Sequence, residues 1–480
     1  MSPANIQRFF VFFQVQLLFL FFQNYHTHAQ TGELQRGKII DTVSCLEQPP
    51  QTYALYLPSN YTKEKRWPVI YIFEPAARGS LPLKHFKEGA ERYGYILVAS
   101  NNAKNGPWEP IFESADALFL DTFKRFAIDA NRVYTSGFSG GSRAALAVAV
   151  ITKKVHGVIA CGAGFPTVPS YRPTDADKFV YIGLVGDKDM NYSEHNATRQ
   201  TLNDLGIENE LLVFEGIHEW PPSKTVVKAL SWLEVQNARR KGQKPDAALI
   251  KEMREMITKE AQNFEAEGHL LGAVEHYEFA ARTLTAYSDI SDMQKTIAKL
   301  KQDKSYAKLL KQKQKTEKKE LQLKEKYLKA FSELHLTRLD TAAGQKDKTW
   351  WENEVRYLKR LSKGKDRQTH MMAERLLNLI WARCAESSFS YVQKADYEMA
   401  LILNELWLNV QPESVWAYWS LAKLLALSGK PEKSIDALEM AVEHGLSKAA
   451  SLEREPAFQL LSNEKRYTDL KRKLLSKAAN

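Results

Sequence analysis

The residues best suited to chemistry are a serine set among glycines, a pair of aspartates and a histidine. Gly137-Phe138-Ser139-Gly140-Gly141 fits G-x-S-x-G. It follows the strand-like run Arg132-Val133-Tyr134-Thr135-Ser136 and opens a stretch rich in alanine, with Ala144, Ala145, Ala147 and Ala149. Strand, tight turn and helix in that order are the context that makes the pattern a nucleophile elbow. The glycines have a steric reason to be there, because the turn is strained and flanking side chains would clash. Such a turn lifts Ser139 Oγ above a sheet and aims the Gly140 N–H at a reacting carbonyl. Ser136 falls inside the strand and Ser142 in the first turn of the helix, so neither is the nucleophile.

A serine hydroxyl needs a base, and the base needs an orienting acid. After an elbow of this kind the chain order is acid, then histidine. Phe179–Val185 reads as a strand and runs into Gly186-Asp187-Lys188-Asp189-Met190-Asn191, while Glu210–Phe214 runs into Glu215-Gly216-Ile217-His218-Glu219-Trp220-Pro221. Both loops follow strand ends, where such sheets carry their sites. His218 is therefore the candidate base, with Asp189 and Asp187 as candidate acids. His195 belongs to the helix after the acid loop and is less well placed. The run Asp187-x-Asp189-x-Asn191 imitates a calcium loop, but Tyr192 stands where Gly is required and Thr198 where the bidentate Glu is required, so no metal is expected. An oxyanion also needs a second donor, expected from Glu74-Pro75-Ala76-Ala77-Arg78-Gly79 after the strand Trp67–Phe73. Pro75 has no N–H, which leaves Ala76 or, failing that, Ala77.

These residues require a frame. Tyr53–Leu57, Trp67–Phe73, Tyr95–Ala99, Arg132–Gly137, Val155–Cys161, Phe179–Val185 and Glu210–Phe214 are short runs enriched in Val, Ile and Tyr, and read as buried strands. Helical stretches at 82–93, 112–127, 142–152, 193–205 and 223–238 lie between them. Alternation of this kind predicts an α/β fold, a mostly parallel sheet with helices on both faces. A basic, polar stretch with Gly242 and Pro245 then makes a linker over 241–247. From 248 to 480 the pattern is all helix. There Ala261, Gly268, Ala273 and Ala280 recur 161 positions later as Ala422, Gly429, Ser434 and Ala441, the small residues a tetratricopeptide hairpin needs where its helices approach. A half-match places Ala395 and Ala400 opposite Gly429 and Ser434. The Lys-rich segment near 300–330 reads as a solvated helix or connector.

Charge and composition bound the function. The net charge of +10 divides unevenly: residues 31–240 carry 24 basic and 23 acidic groups, residues 241–480 carry 42 and 34. Tyr306 and Tyr327 are the sole aromatics over 300–330, too few to stack bases, so no nucleic-acid partner is expected. Cys45, Cys161 and Cys384 are too few and too far apart for a disulfide framework or a cysteine zinc site. No P-loop, GxGxxG or HExxH is present, and no cofactor is expected. Arg8, the apolar run 9–22 and Thr27-His28-Ala29 have the layout of a signal peptide over 1–29. Fourteen residues with two Gln are short for a span of about 20, so no transmembrane segment is expected after its removal, and the protein is expected to be secreted or periplasmic.

The elbow, the acid loop and the His218 loop together make residues 36–240 resemble an α/β-hydrolase of the polyhydroxybutyrate depolymerase and feruloyl or acetyl-xylan esterase type, with a tetratricopeptide-like all-α domain following. Trp220-Pro221 after His218 adds to the likeness. The resemblance implies ester hydrolysis through an acyl-enzyme without a cofactor, with Ser139, Asp189 and His218 as the triad and Gly140 and Ala76 at the oxyanion. It favours Asp189 over Asp187, since Gly186-x-x-Asp189 has the family's offset. The loop at Glu74–Gly79 departs from the His-Gly-Gly form of many lipases. The implied substrate is an ester, polysaccharide-linked or polyester, with a peptide bond as an alternative. A different class of reading makes the first half a non-catalytic scaffold and the helical half a binder of a protein or peptide partner.

Overall fold

Trp67-Pro68-Val69-Ile70-Tyr71-Ile72-Phe73 offers no polar face, and all seven residues are buried in one strand. It belongs to a computed structural model that describes residues 34–336, 341–447 and 449–478. The expected signal peptide lies outside the described residues. Eight strands, β1 (Ile39–Ser44), β2 (Thr52–Tyr56), β3 (Trp67–Phe73), β4 (Ile96–Ser100), β5 (Ile128–Phe138), β6 (Gly157–Cys161), β7 (Val180–Gly186) and β8 (Asn209–Phe214), form a single sheet. Its order is β1-β2-β4-β3-β5-β6-β7-β8. From β4 through β3, β5 and β6 to β7 every pairing is parallel, while β2 runs antiparallel to both β1 and β4. The Tyr181 and Asp187 N–H groups donate to Glu208 and Phe214 carbonyls at 3.0 and 2.8 Å, which carries the parallel register on to β8.

Among the described residues four helices lie between these strands, α1 (Ser80–Tyr93), α2 (Trp108–Arg125), α3 (Gly140–Thr152) and α4 (Tyr192–Asp204), and α5 (Ser223–Arg240) follows β8. This is the α/β architecture with a mostly parallel sheet that the alternation predicts. Strand β1 is the element absent from the expectation. Its Asp41 and Thr42 are exposed, as suits an edge strand, and they interrupt any apolar run.

The chain divides into two compact units. The first comprises residues up to Leu184 together with Thr198–Leu212 and Trp220–Pro245. The second comprises Asp246 onward together with Val185–Ala197 and Val213–Glu219. The loops that follow β7 and β8 thus group with the helices. Those helices are α6 (Ala247–Ala266), α7 (Leu270–Leu284), α8 (Ser291–Gln302), α9 (Lys304–Leu336), α10 (Thr341–Ser362), α11 (Arg367–Gln393), α12 (Tyr397–Val410), α13 (Val415–Leu427), α14 (Pro431–Glu443), α15 (Ala449–Arg454) and α16 (Lys465–Ala478). Among the described residues after Pro245 no strand occurs, and no helix is long and apolar enough to cross a membrane.

The recurring small residues have a physical role in two hairpins, α6–α7 and α13–α14. Ala261, Ala273 and Ala280 are fully buried, as are Ala422, Ser434 and Ala441. Gly268 and Gly429 turn the chain at φ of 74° and 68°, where a side chain would be strained. The α11–α12 hairpin makes the same turn with Ala395, at φ 56°.

The Lys-rich segment is one continuous helix, α9, and the solvated reading needs correction on one face. Thr316 and Glu320 are buried. Glu320 holds Arg375 of α11 through a two-pronged ion pair, Nε to Oε1 at 2.8 Å and Nη2 to Oε2 at 2.6 Å.

Candidate active site

Ser139 follows the last residue of β5 and precedes the first residue of α3, so the turn between them is a single residue. Its φ of 54° and ψ of −119° lie in a region that L residues rarely occupy. The glycines around it are there for space. A Cβ on Gly137 would stand 2.1 Å from the Gly141 carbonyl oxygen, and one on Gly141 would stand 2.0 Å from that of Phe73. The Ser139 N–H is tied to the Cys161 carbonyl at 2.8 Å, which fixes the turn to the end of β6. Phe138 packs against Trp220 with ring centroids 5.4 Å apart. Ser136 and Ser142 are buried and donate to the Ile159 and Ala163 carbonyls at 2.9 and 2.7 Å, as befits structural serines.

The structure brings His218 and Asp189 together. His218 Nδ1 and Asp189 Oδ2 are 2.9 Å apart, and Asp189 is fully buried. Its other oxygen, Oδ1, accepts the Asn191 N–H at 2.8 Å. Asp187 is turned elsewhere: Oδ1 accepts the Gly216 N–H at 3.1 Å, and Oδ2 faces Arg367 at 3.4 Å. Burial raises the Asp187 carboxyl above its ordinary pKa, with the Gly216 N–H and nearby cations opposing. The two loops meet closely because Gly186 has no side chain; a Cβ there would stand 2.4 Å from the Gly216 oxygen. His195 is buried on α4. Ser139 belongs to the first unit, and Asp189 and His218 to the second.

The Gly140 N–H lies at the first turn of α3, where helix N–H groups have no intrahelical partner. The Ala76 N–H, expected as the second donor, is engaged: it donates to Glu74 Oε2 at 2.7 Å. The Ala77 N–H donates to the Glu74 carbonyl at 2.9 Å. Glu74 is buried, and its carboxylate also accepts the Arg78 N–H at 2.9 Å and the Arg78 guanidinium. The buried acid therefore folds the loop on itself. Sequence reasoning missed Asn105, whose carboxamide abuts the elbow. A Cβ on Gly140 would stand 1.9 Å from Asn105 Oδ1 and 3.0 Å from Nδ2. The Asn105 N–H holds the Pro75 carbonyl at 2.8 Å, linking its loop to that of Glu74. Nothing in the pattern Asn101–Gly106 signals this contact. Among the described residues no group of three or more His, Cys, Asp or Glu is placed to hold a metal ion.

No family model and no curated protein matches the chain. Solved structures similar to it include the S-formylglutathione hydrolase FrmB of Staphylococcus aureus, at 13% identity and a TM-score of 0.35, over 42% of this chain and 99% of that one. A ferulic acid esterase aligns at 18% identity and a TM-score of 0.34, over 40% of this chain and 96% of its own. Est1E from Butyrivibrio proteoclasticus aligns at 11% identity and a TM-score of 0.32, over 39% and 95%.

Proposed function

We propose that the chain is an exported serine hydrolase that cleaves a carboxylic ester through an acyl-enzyme. The observation that carries this reading is the backbone of Ser139, a non-glycine residue held at φ 54° in a one-residue turn between strand and helix. Strain of this kind persists where the surroundings over-determine it, and it clusters at functional sites. The Asp189–His218 pair supports the reading independently.

In the proposed reaction His218 Nδ1–H donates to Asp189, which leaves Nε2 as the base. Nε2 takes the Ser139 proton as Oγ attacks the ester carbonyl. The tetrahedral oxyanion is met by the Gly140 N–H. Asp189 stabilises the imidazolium, which then protonates the leaving alcohol, and water repeats the attack on the acyl-enzyme. For the second donor, the Ala76 N–H would first have to leave a charged acceptor, at about 1.5–3 kcal/mol. The Asn105 carboxamide lies against Gly140 with its oxygen nearer than its nitrogen, and turned about its Cβ–Cγ bond so that Nδ2 faces the elbow it is the donor we assign instead. The substrate is read as an ester of a polysaccharide or polyester, and the helical region as a surface for a peptide, a protein partner or the substrate.

Ser139→Ala is expected to abolish both turnover of 4-nitrophenyl acetate and covalent labelling by a fluorophosphonate. Full activity in that variant would remove the assignment.

A further inference from the structure

The loop that carries Asp189 is held by side chains of the helices. Three of its backbone carbonyls accept from α9 and α11: that of Asp187 from Arg375 Nη1 at 2.8 Å, that of Lys188 from Asn378 Nδ2 at 2.8 Å, and that of Met190 from Lys324 Nζ at 3.1 Å. Both of the principal donors are themselves aimed. The ion pair with Glu320 uses the Nε edge of the Arg375 guanidinium and leaves Nη1 for the loop. Trp381 Nε1 donates to Asn378 Oδ1 at 2.9 Å, so the amide presents its nitrogen to Lys188. Met190 is part of the helical core with Tyr327, Leu376 and Ile380. The Arg375 guanidinium also covers the Tyr192 ring, with 4.6 Å from Cζ to the centroid.

We infer that Arg375 and Asn378 are positioning residues for the proposed reaction: they hold the acid loop by its carbonyls, and so set Asp189 against His218. The inference rests on reading Asp189 as the triad acid. Its physical basis is the placement of the loop between two anchors. On one side the Asp187 and Lys188 N–H groups donate to Phe214 and Gly216 carbonyls at 2.8 and 2.9 Å, tying it to the loop of His218. On the other side the Asp187, Lys188 and Met190 carbonyls are met by side chains of the helices, while the Asp189 carbonyl accepts the Tyr192 N–H at 3.0 Å. A carboxylate whose loop shifts by about 1 Å loses the imidazole geometry, and misplacement on that scale can lower a rate about 10²-fold.

The test uses the full chain with Asn378→Asp, which keeps the shape of the side chain and removes its donor, and with the double variant Arg375→Met/Glu320→Met, which leaves no orphaned buried charge. Two readouts are taken: kcat and KM on 4-nitrophenyl acetate, and the low-field proton resonance of His218 Nδ1–H, which depends on Asp189 and needs no turnover. Asp189→Ala supplies the reference for its loss. Both variants are expected to lose kcat by about tenfold to a hundredfold with KM little moved, and to lose or shift the resonance. Wild-type kcat together with an unchanged resonance would overturn the inference. Should Ser139→Ala remain fully active, the hydrolase reading falls and the resonance alone decides whether the loop is positioned from the helices. Trp381→Phe, which frees only the amide oxygen of Asn378, carries the same expectation at smaller size if the other changes prevent folding.

Discussion

Ser139 is held where its own backbone would rather not be, and that tension is measurable. At φ 54° and ψ −119° a glycine would sit without a Cβ penalty. Ser139→Gly is therefore expected to raise the stability of the chain by ~1 kcal/mol while abolishing turnover, read from urea unfolding beside an activity assay. Equal or lower stability would show that the turn is not strained. The thiols show the opposite condition. Burial pushes Cys161 up to about 12 against the opposing hydrogen bond from Ser136, and Cys45 up to about 12 as well, so neither supplies a thiolate at neutral pH. At this scale the sequence was informative about residue type and less so about choice. It offered Asp187 and Asp189 two positions apart, the Gly186-x-x-Asp189 offset favoured the second, and the hydrogen bond to His218 is made by Asp189.

At the scale of elements, the apolar strands and the elbow were legible because they obey local rules: seven buried residues in β3, and glycines at Gly137 and Gly141, where the backbone passes too close for a side chain. The oxyanion loop was not legible, since its shape depends on where a buried carboxylate turns. Glu74 takes the Ala76 N–H that the chain order alone would reserve for substrate. Asn105 reaches Gly140 from a separate loop, a juxtaposition no local pattern encodes. Asn105→Ala is expected to lower kcat about 10²-fold with KM little changed, as loss of one oxyanion donor does. An unchanged kcat would return the role to Ala76. Glu320 was equally hidden, because a carboxylate inside a Lys-rich run reads as solvated until its partner 55 positions away is placed beside it.

For the molecule as a whole, pH acts on stability through groups away from the proposed chemistry. Burial, and then the Arg240 guanidinium, hold His156 below its ordinary value of 6.5. The native state thus prefers the neutral imidazole. The stability this contributes is full above the unfolded value and is lost as pH falls through the lower folded one. Between pH 7 and 5 the urea midpoint is expected to fall, and to fall less in His156→Gln; equal slopes would dismiss the contribution. The carbonyl contacts at the Asp189 loop have a consequence of timing. Arg375 and Asn378 stand 188 and 190 residues after the carbonyls they hold. A chain still being synthesised completes its serine turn and its imidazole long before the side chains that steady the acid exist, and domains of such chains fold in order of emergence. On the inference above, a nascent chain would own every reacting group and still be idle, so that competence arrives only when the helices have been made and folded.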